Sequence, residues 1–149
     1  MFDYKYLSAP KQASGNKIYF FKRAKVDKIT GFLFNLKRLS MSAIERIKDQ
    51  LENNPVILYM KGSPDFPQCG FSGQTVQVLE ACQAEYAYVN IFEDPELREA
   101  LKEYSHWPTY PQLYVNGELV GGCDIVVGLY QSGELAGLLQ AAGGVKANP

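Results

Sequence analysis

"VILYMKGSPDFPQCGFSGQTVQVLEAC", Val56 to Cys82, decides the fold. Val56–Lys61 is apolar and β-branched at its start, which reads as a buried strand. "GSPDFPQ" follows as a loop with two prolines. Cys69 stands at or near the start of a helix that runs through Val76, Leu79 and Cys82. A strand that delivers a thiol to a helix N-terminus is one half of a βαβ unit. Three positions past Cys69, where a two-thiol motif carries its second sulfur, stands Ser72.

Upstream, "MSAIERIKDQLENN" holds Ser42 and Glu45 in the S-x-x-E spacing of a capping box. Ile44, Ile47 and Leu51 recur at helical spacing, so a helix is expected from about Ser42 to Asn53, stopped by Pro55. Downstream, "YAYVNIF" reads as a second strand. Asp94 and Pro95 fit the N-cap and first position of a helix that turns Leu97 and Leu101 inward. "QLYV" and "ELV" flank Asn116-Gly117, a strong hairpin signal. Asp124 is expected to cap a helix through Ile125, Val126 and Leu129, which Gly133 breaks before a last short helix ending near Ala142. Strands joined through a helix are parallel with a right-handed crossover, and hairpin strands are antiparallel. The order α-β-α-β-α-β-β-α therefore predicts an α/β domain over residues 41–143. Its core is one mixed four-stranded sheet flanked by helices. Residues 144–149 are expected to fray.

The chain has 149 residues and a net charge of −1. That value conceals an asymmetry: residues 1–40 carry nine basic and two acidic side chains, the remainder six and fourteen. The first forty residues show no clean period. They lack the long apolar centre and cleavage site of a secretory signal. Their basic, acid-poor character is compatible with a transit peptide or a nucleic-acid tail, although the bases are mostly lysine. Upstream sequence joined by an early start is the preferred reading, which makes this basic extension dispensable to the fold. No window is long and apolar enough for a membrane helix. Three cysteines, an odd number with no metal-finger spacing, argue against a disulfide framework and a structural zinc site, and for a reducing compartment.

Cys69 is the chemical centre of this reading. At a helix start its sulfur meets free N–H groups and the positive dipole end, which favour thiolate. Lys61, on the same rim, adds positive charge. Cys82 is read as a core or half-buried cysteine. For Cys123, in "VGGCDIV", buried packing, backbone contact to a ligand and a second thiol are all open, with backbone contact favoured. Pro111, directly before a strand, suits a cis peptide in a tight turn. Such a turn leaves the N–H and C=O of Tyr110 free to pair with a peptide-like ligand. Arg98 is either an exposed charge paired with Asp94 or a clamp on a carboxylate. The chain has no Gly-rich phosphate loop, and its one histidine, His106, has no catalytic partner pattern.

"CGFS" at Cys69–Ser72, "YMKG" at Tyr59–Gly62 and "WPTYPQLYVNGELVGGCDI" at Trp107–Ile125, with the element order, resemble the monothiol glutaredoxins of the short, single-domain bacterial type. The resemblance covers about Ser42 to Gln140. It implies a thioredoxin-like fold and a glutathione site. Lys61 and Arg98 would hold the glycine carboxylate of glutathione. The Tyr110 backbone would pair with its cysteine portion, and Gly122, Cys123 and Asp124 would receive its γ-glutamyl end. It further implies that Cys69 from each of two chains, with two glutathione thiolates, ligates a [2Fe–2S] cluster in a bridged homodimer. The cluster would pass from a scaffold to recipient apoproteins, with a BolA-type protein as a further partner, in the cytoplasm. No nucleic acid or membrane is implied. The alternative is a glutathione-dependent thiol–disulfide oxidoreductase with Cys69 as nucleophile.

Overall fold

A computed structural model describes residues 18–19 and 41–145. Its strands are β1 (Ile18–Tyr19), β2 (Val56–Met60), β3 (Ala87–Asn90), β4 (Gln112–Val115) and β5 (Glu118–Gly121). Its helices are α1 (Ala43–Asn53), α2 (Gly70–Ala81), α3 (Pro95–Ser105), α4 (Cys123–Ser132) and α5 (Glu134–Ala141). The sheet order is β1-β3-β2-β4-β5. β2 and β3 are parallel, joined through α2, while β4 lies antiparallel to β2 and to β5. The four expected strands are all present. A fifth, β1, comes from the basic extension and pairs antiparallel with β3, Ile18 opposite Val89 and Tyr19 opposite Tyr88. Two residues are too short to show a period, so the sequence pattern could not reveal it. The rest of the expectation for residues 1–40 lies outside the described residues.

Every residue of β2 is buried, as a central strand requires. Its alternate side chains face opposite ways. Val56, Leu58 and Met60 join Val76 and Leu79 of α2, Val126 of α4, and Leu135 and Leu139 of α5. Ile57 and Tyr59 join Ile47 and Leu51 of α1, Leu97 and Leu101 of α3, and Tyr114. The sheet is thus sandwiched between two helical layers, and each layer shields one face of β2.

The helix starts follow their local chemistry. Ser42 Oγ accepts from Glu45 N–H at 3.3 Å, and Glu45 Oε2 accepts from Ser42 N–H at 2.8 Å, completing the capping box. Asp94 Oδ1 accepts from Leu97 N–H at 3.0 Å, with Pro95 as the first helical residue. The Asn116-Gly117 turn has both residues at positive φ, 51° and 81°, which suits the right-handed twist of a tight hairpin. Gly133, at φ 80°, ends α4.

Two expectations are corrected. Gly122, not Asp124, is the N-cap of α4; the helix begins at Cys123, and Asp124 lies in its first turn. Gly144 and Val145 do not fray. Gly144 C=O accepts from Glu85 N–H at 2.8 Å, Val145 bridges to Ala84, and Val145 packs on the core. A side chain at 144 would meet Val56 at 2.4 Å, so the glycine is what lets the chain close there. Residues 146–149 lie outside the described residues.

Two ion pairs made by one arginine tie α1 to the start of α3. Arg46 Nη2 lies 3.0 Å from Asp94 Oδ2 and 3.0 Å from Glu96 Oε2, and the Arg46 and Asp94 side chains are only 11% and 8% exposed. Removing one partner of a buried pair leaves the other charge uncompensated. Arg46→Ala is therefore expected to lower stability by about 3 kcal/mol in urea unfolding. Removal of residues 1–40 takes away the two-residue edge pairing on β3 and leaves the core clusters formed within residues 41–145 in place. Its melting temperature is expected within about 5 °C of the full chain; a larger fall would show that the extension packs on the domain.

Candidate functional site

The loop after β2 is folded to present one sulfur. Gly62, at φ 90°, has no room for a side chain: a Cβ would sit 2.4 Å from Phe66 O and 2.8 Å from Gln68 N. Asn90 Oδ1 accepts from Gly62 N–H at 3.0 Å and from Phe92 N–H at 3.2 Å, so the end of β3 holds the end of β2. Gln68 N–H donates to Lys61 O at 2.9 Å and closes the loop's neck. The loop then delivers Cys69 as N-cap of α2, half-exposed.

At that place the thiol's acidity is set by backbone. The N–H of Ser72 lowers its pKa most, and the N–H of Phe71, the charge of Lys61 and the Ser72 hydroxyl add to it, while partial burial opposes them. The free N–H groups of a helix start are natural anion donors. Ser72 itself is fully buried, and its Oγ accepts from Lys61 N–H at 3.2 Å. The position that a resolving cysteine would occupy is therefore a structural hydroxyl that links the end of β2 to α2. Cys82 differs: half-buried against the core, its thiol is pushed up by burial.

Antiparallel pairing of Tyr59 with Gln112 brings the end of β2 beside the Trp107–Pro111 turn. The Tyr110–Pro111 peptide is cis. The strand register ends at Gln112, and among the described residues no turn or loop hydrogen bond uses the main chain of Tyr110. Tyr110 Oη donates to Arg98 O at 2.6 Å, which fastens the turn to α3. Arg98 is 41% exposed and reaches Glu99 at 4.0 Å; the carboxylate of Asp94 is taken by Arg46. Arg98 Nε is buried without a hydrogen-bond partner among the described residues, as is Trp107 Nε1.

Gly122 closes the rim. A Cβ there would lie 3.5 Å from both Pro111 O and Trp107 Nε1, which sets the α4 N-terminus against the turn. Cys123 is buried, and its Sγ donates to Gln74 Oε1 at 3.3 Å, so it joins α4 to α2. Asp124 is exposed. Lys61, Cys69, Tyr110 and Gly122 thus stand on segments that the fold places side by side, with Arg98 tied to Tyr110. Asn90, Gln74 and Gln112 support these segments and drew no notice in the sequence, because a lone amide has no motif. The signal for Asn90 was its place at the end of a strand next to a loop.

A mixed sheet between helices, with a thiol capping the helix after the first parallel strand and a cis-proline turn beside it, defines a thioredoxin-like domain. The glutaredoxin family profile matches residues 56–120. Glutaredoxin 4 of Escherichia coli (strain K12) is 56% identical over 99 residues, covering 66% of this chain and 86% of its own. Glutaredoxin 4 of Haemophilus ducreyi is 50% identical over 100 residues, covering 67% and 94%. Among solved structures, reduced poplar apo GrxS14 is 48% identical with a TM-score of 0.61, covering 70% of this chain and 96% of its own. A buckwheat glutaredoxin–glutathione complex, 20% identical with a TM-score of 0.63 over 70% and 93%, shares the fold. The chain belongs to the glutaredoxin family, in its monothiol branch.

Thiolate chemistry gives a direct check. The alkylation rate of Cys69 against pH is expected to rise through a midpoint below that of an ordinary thiol, since its pKa is lowered. Lys61→Met removes one of the lesser lowering influences and should move the midpoint upward. Cys82, raised by burial, should react only at higher pH.

Proposed function

We propose that this protein binds a glutathione-ligated [2Fe–2S] cluster as cargo, in a cluster-bridged homodimer, and hands it to apoproteins. The observation that carries the reading is Cys69: an accessible thiol held toward thiolate by helix N–H groups, with a buried hydroxyl, Ser72, where a resolving thiol would stand. Thiolate is the form that ligates iron. A cysteine at 72 could close a disulfide with Cys69 and remove the ligand; a serine cannot. No group of three or more His, Cys, Asp or Glu among the described residues forms a metal site. In this reading Cys69 is the chain's one ligand, and the other sulfurs come from a second chain and two glutathione molecules.

Glutathione would lie along the rim already described. Lys61 and Arg98 would take its glycine carboxylate, the Tyr110 main chain its cysteine portion, and Gly122, Cys123 and Asp124 its γ-glutamyl end. The buried, unpartnered Arg98 Nε and Trp107 Nε1 beside that rim fit a polar ligand, because buried donors ordinarily have acceptors. The buckwheat relative of the same fold is a glutathione complex. A scaffold would supply the cluster, and a BolA-type protein and recipient apoproteins would be partners, in the cytoplasm. Nucleic acid and membrane have no part in this reading; no described helix is long and apolar enough to cross a bilayer.

The lowered thiol pKa also favours a second reading, a glutathione-dependent oxidoreductase. There the Cys69 thiolate attacks the glutathione sulfur of a mixed disulfide, the substrate thiolate leaves, and a second glutathione reduces the enzyme, releasing glutathione disulfide. Anaerobic purification separates the two, since a cluster carrier is brown.

Cys69→Ser, reconstituted with iron, sulfide and glutathione, is expected to show no cluster absorption with its fold intact. A full cluster on that variant would sink the assignment. Ser72→Cys is expected to retain its cluster under argon, to lose it severalfold in air, and to gain disulfide reductase activity, because a resolving thiol is then one helical turn from Cys69. Equal yield in air and argon, with no gain of activity, would refute the role given to Ser72.

A further inference from the structure

Gln112 opens β4, yet its side chain is completely buried. Its Nε2 donates backwards to two main-chain carbonyls of the turn, Trp107 O at 3.0 Å and Thr109 O at 3.1 Å. Its Oε1 accepts from Tyr114 Oη at 2.9 Å. The two carbonyls, which can only accept, fix which way the amide faces: both N–H donors lie toward the turn and the oxygen toward Tyr114, whose phenol donates. Burial pushes the Tyr114 phenol up to about 12, so it remains a donor at neutral pH. Only an amide supplies two donors and an acceptor at this reach. A carboxylate would set oxygen against two carbonyl oxygens, and a hydrocarbon would make none of the three bonds.

The carbonyls it grips belong to the residues around Tyr110. From the other side Tyr110 is held by its own hydroxyl on Arg98 O. We propose that Gln112 is a positioning residue for glutathione: its amide, inside the Trp107–Pro111 turn, sets the Tyr110 main chain in the geometry that pairs with the peptide part of the ligand. This rests on the reading that the chain binds glutathione. Being wholly buried, Gln112 acts through the turn and touches no ligand.

The test compares two disulfides on the full-length protein. Cys69 thiolate exchanges with glutathione disulfide to give the Cys69–glutathione mixed disulfide and free glutathione thiolate. It exchanges likewise with 2-hydroxyethyl disulfide, which has no peptide group to pair with the turn. Both equilibrium constants are read by mass spectrometry of the quenched mixtures. Wild type is expected to favour glutathione over the hydroxyethyl probe. Gln112→Met should lower the glutathione constant about tenfold and leave the hydroxyethyl constant unchanged. Tyr114→Phe, which removes only one hydroxyl, should lower it about threefold. The double variant should fall no further than Gln112→Met, because Tyr114 acts through the amide. Equal glutathione constants in wild type and both single variants would overturn the proposal alone. A parallel fall with both disulfides would also overturn it, since the effect would then lie in the thiol or the fold. A wild type with no preference for glutathione would overturn the glutathione reading and this proposal together.

Discussion

A thiol set at the first N–H groups of α2, which lower its pKa, is the feature on which the rest of the site depends. Those groups exist because a helix leaves its first turn without internal acceptors. The thiol lies beside them because Cys69 is the N-cap, with extended rather than helical backbone. That placement in turn requires the preceding loop to close on itself within a few residues. Gly62 permits the close approach, Asn90 holds it from the neighbouring strand, and Ser72 fastens the end of β2 to the helix. Each of these small parts serves one geometric demand, and none of them reacts.

The site also shows where a protein of this size keeps its buried polarity. The two core clusters are almost wholly hydrocarbon, but the layer beneath the Trp107–Pro111 turn holds Gln112, Tyr114 and Ser105 in mutual reach. Hydrogen bonds of this kind contribute modestly to net stability, yet leaving one member unpaired is costly. A network with every member paired tolerates one arrangement, and so fixes a loop more tightly than apolar packing would. The turn is irregular backbone without ladder partners, and fixing it is what its use in binding would demand.

Much of this was readable in the residues. Ser42, Asp94, Asn116-Gly117 and Gly133 each announced a boundary through its own chemistry, and the structure places the boundaries there. The cis bond at Pro111 followed from a proline set against a strand. Asp124 misled because an aspartate before an apolar helix is a good cap, whereas here Gly122 begins the helix two residues earlier and brings its backbone against Trp107 and Pro111. The tail misled because "GGVKANP" looks like unstructured punctuation, while Gly144 is there for close packing on Val56. Arg46 escaped notice because its partner Asp94 is 48 residues away, and ion pairs across a fold leave no local signal. Asn90 escaped in the same way, since Gly62 is 28 residues away, whereas Gln112 bonds only near neighbours and escaped because a lone amide has no motif.

The fastening of Gly144 and Val145 to Glu85 and Ala84 also sets where this stretch of chain lies relative to the thiol. Ala84 and Glu85 follow the end of α2, whose beginning carries Cys69. Twelve helical residues span about 18 Å. The chain at Val145 is therefore held by a main-chain bond near the far pole of that helix, on the side away from the thiol.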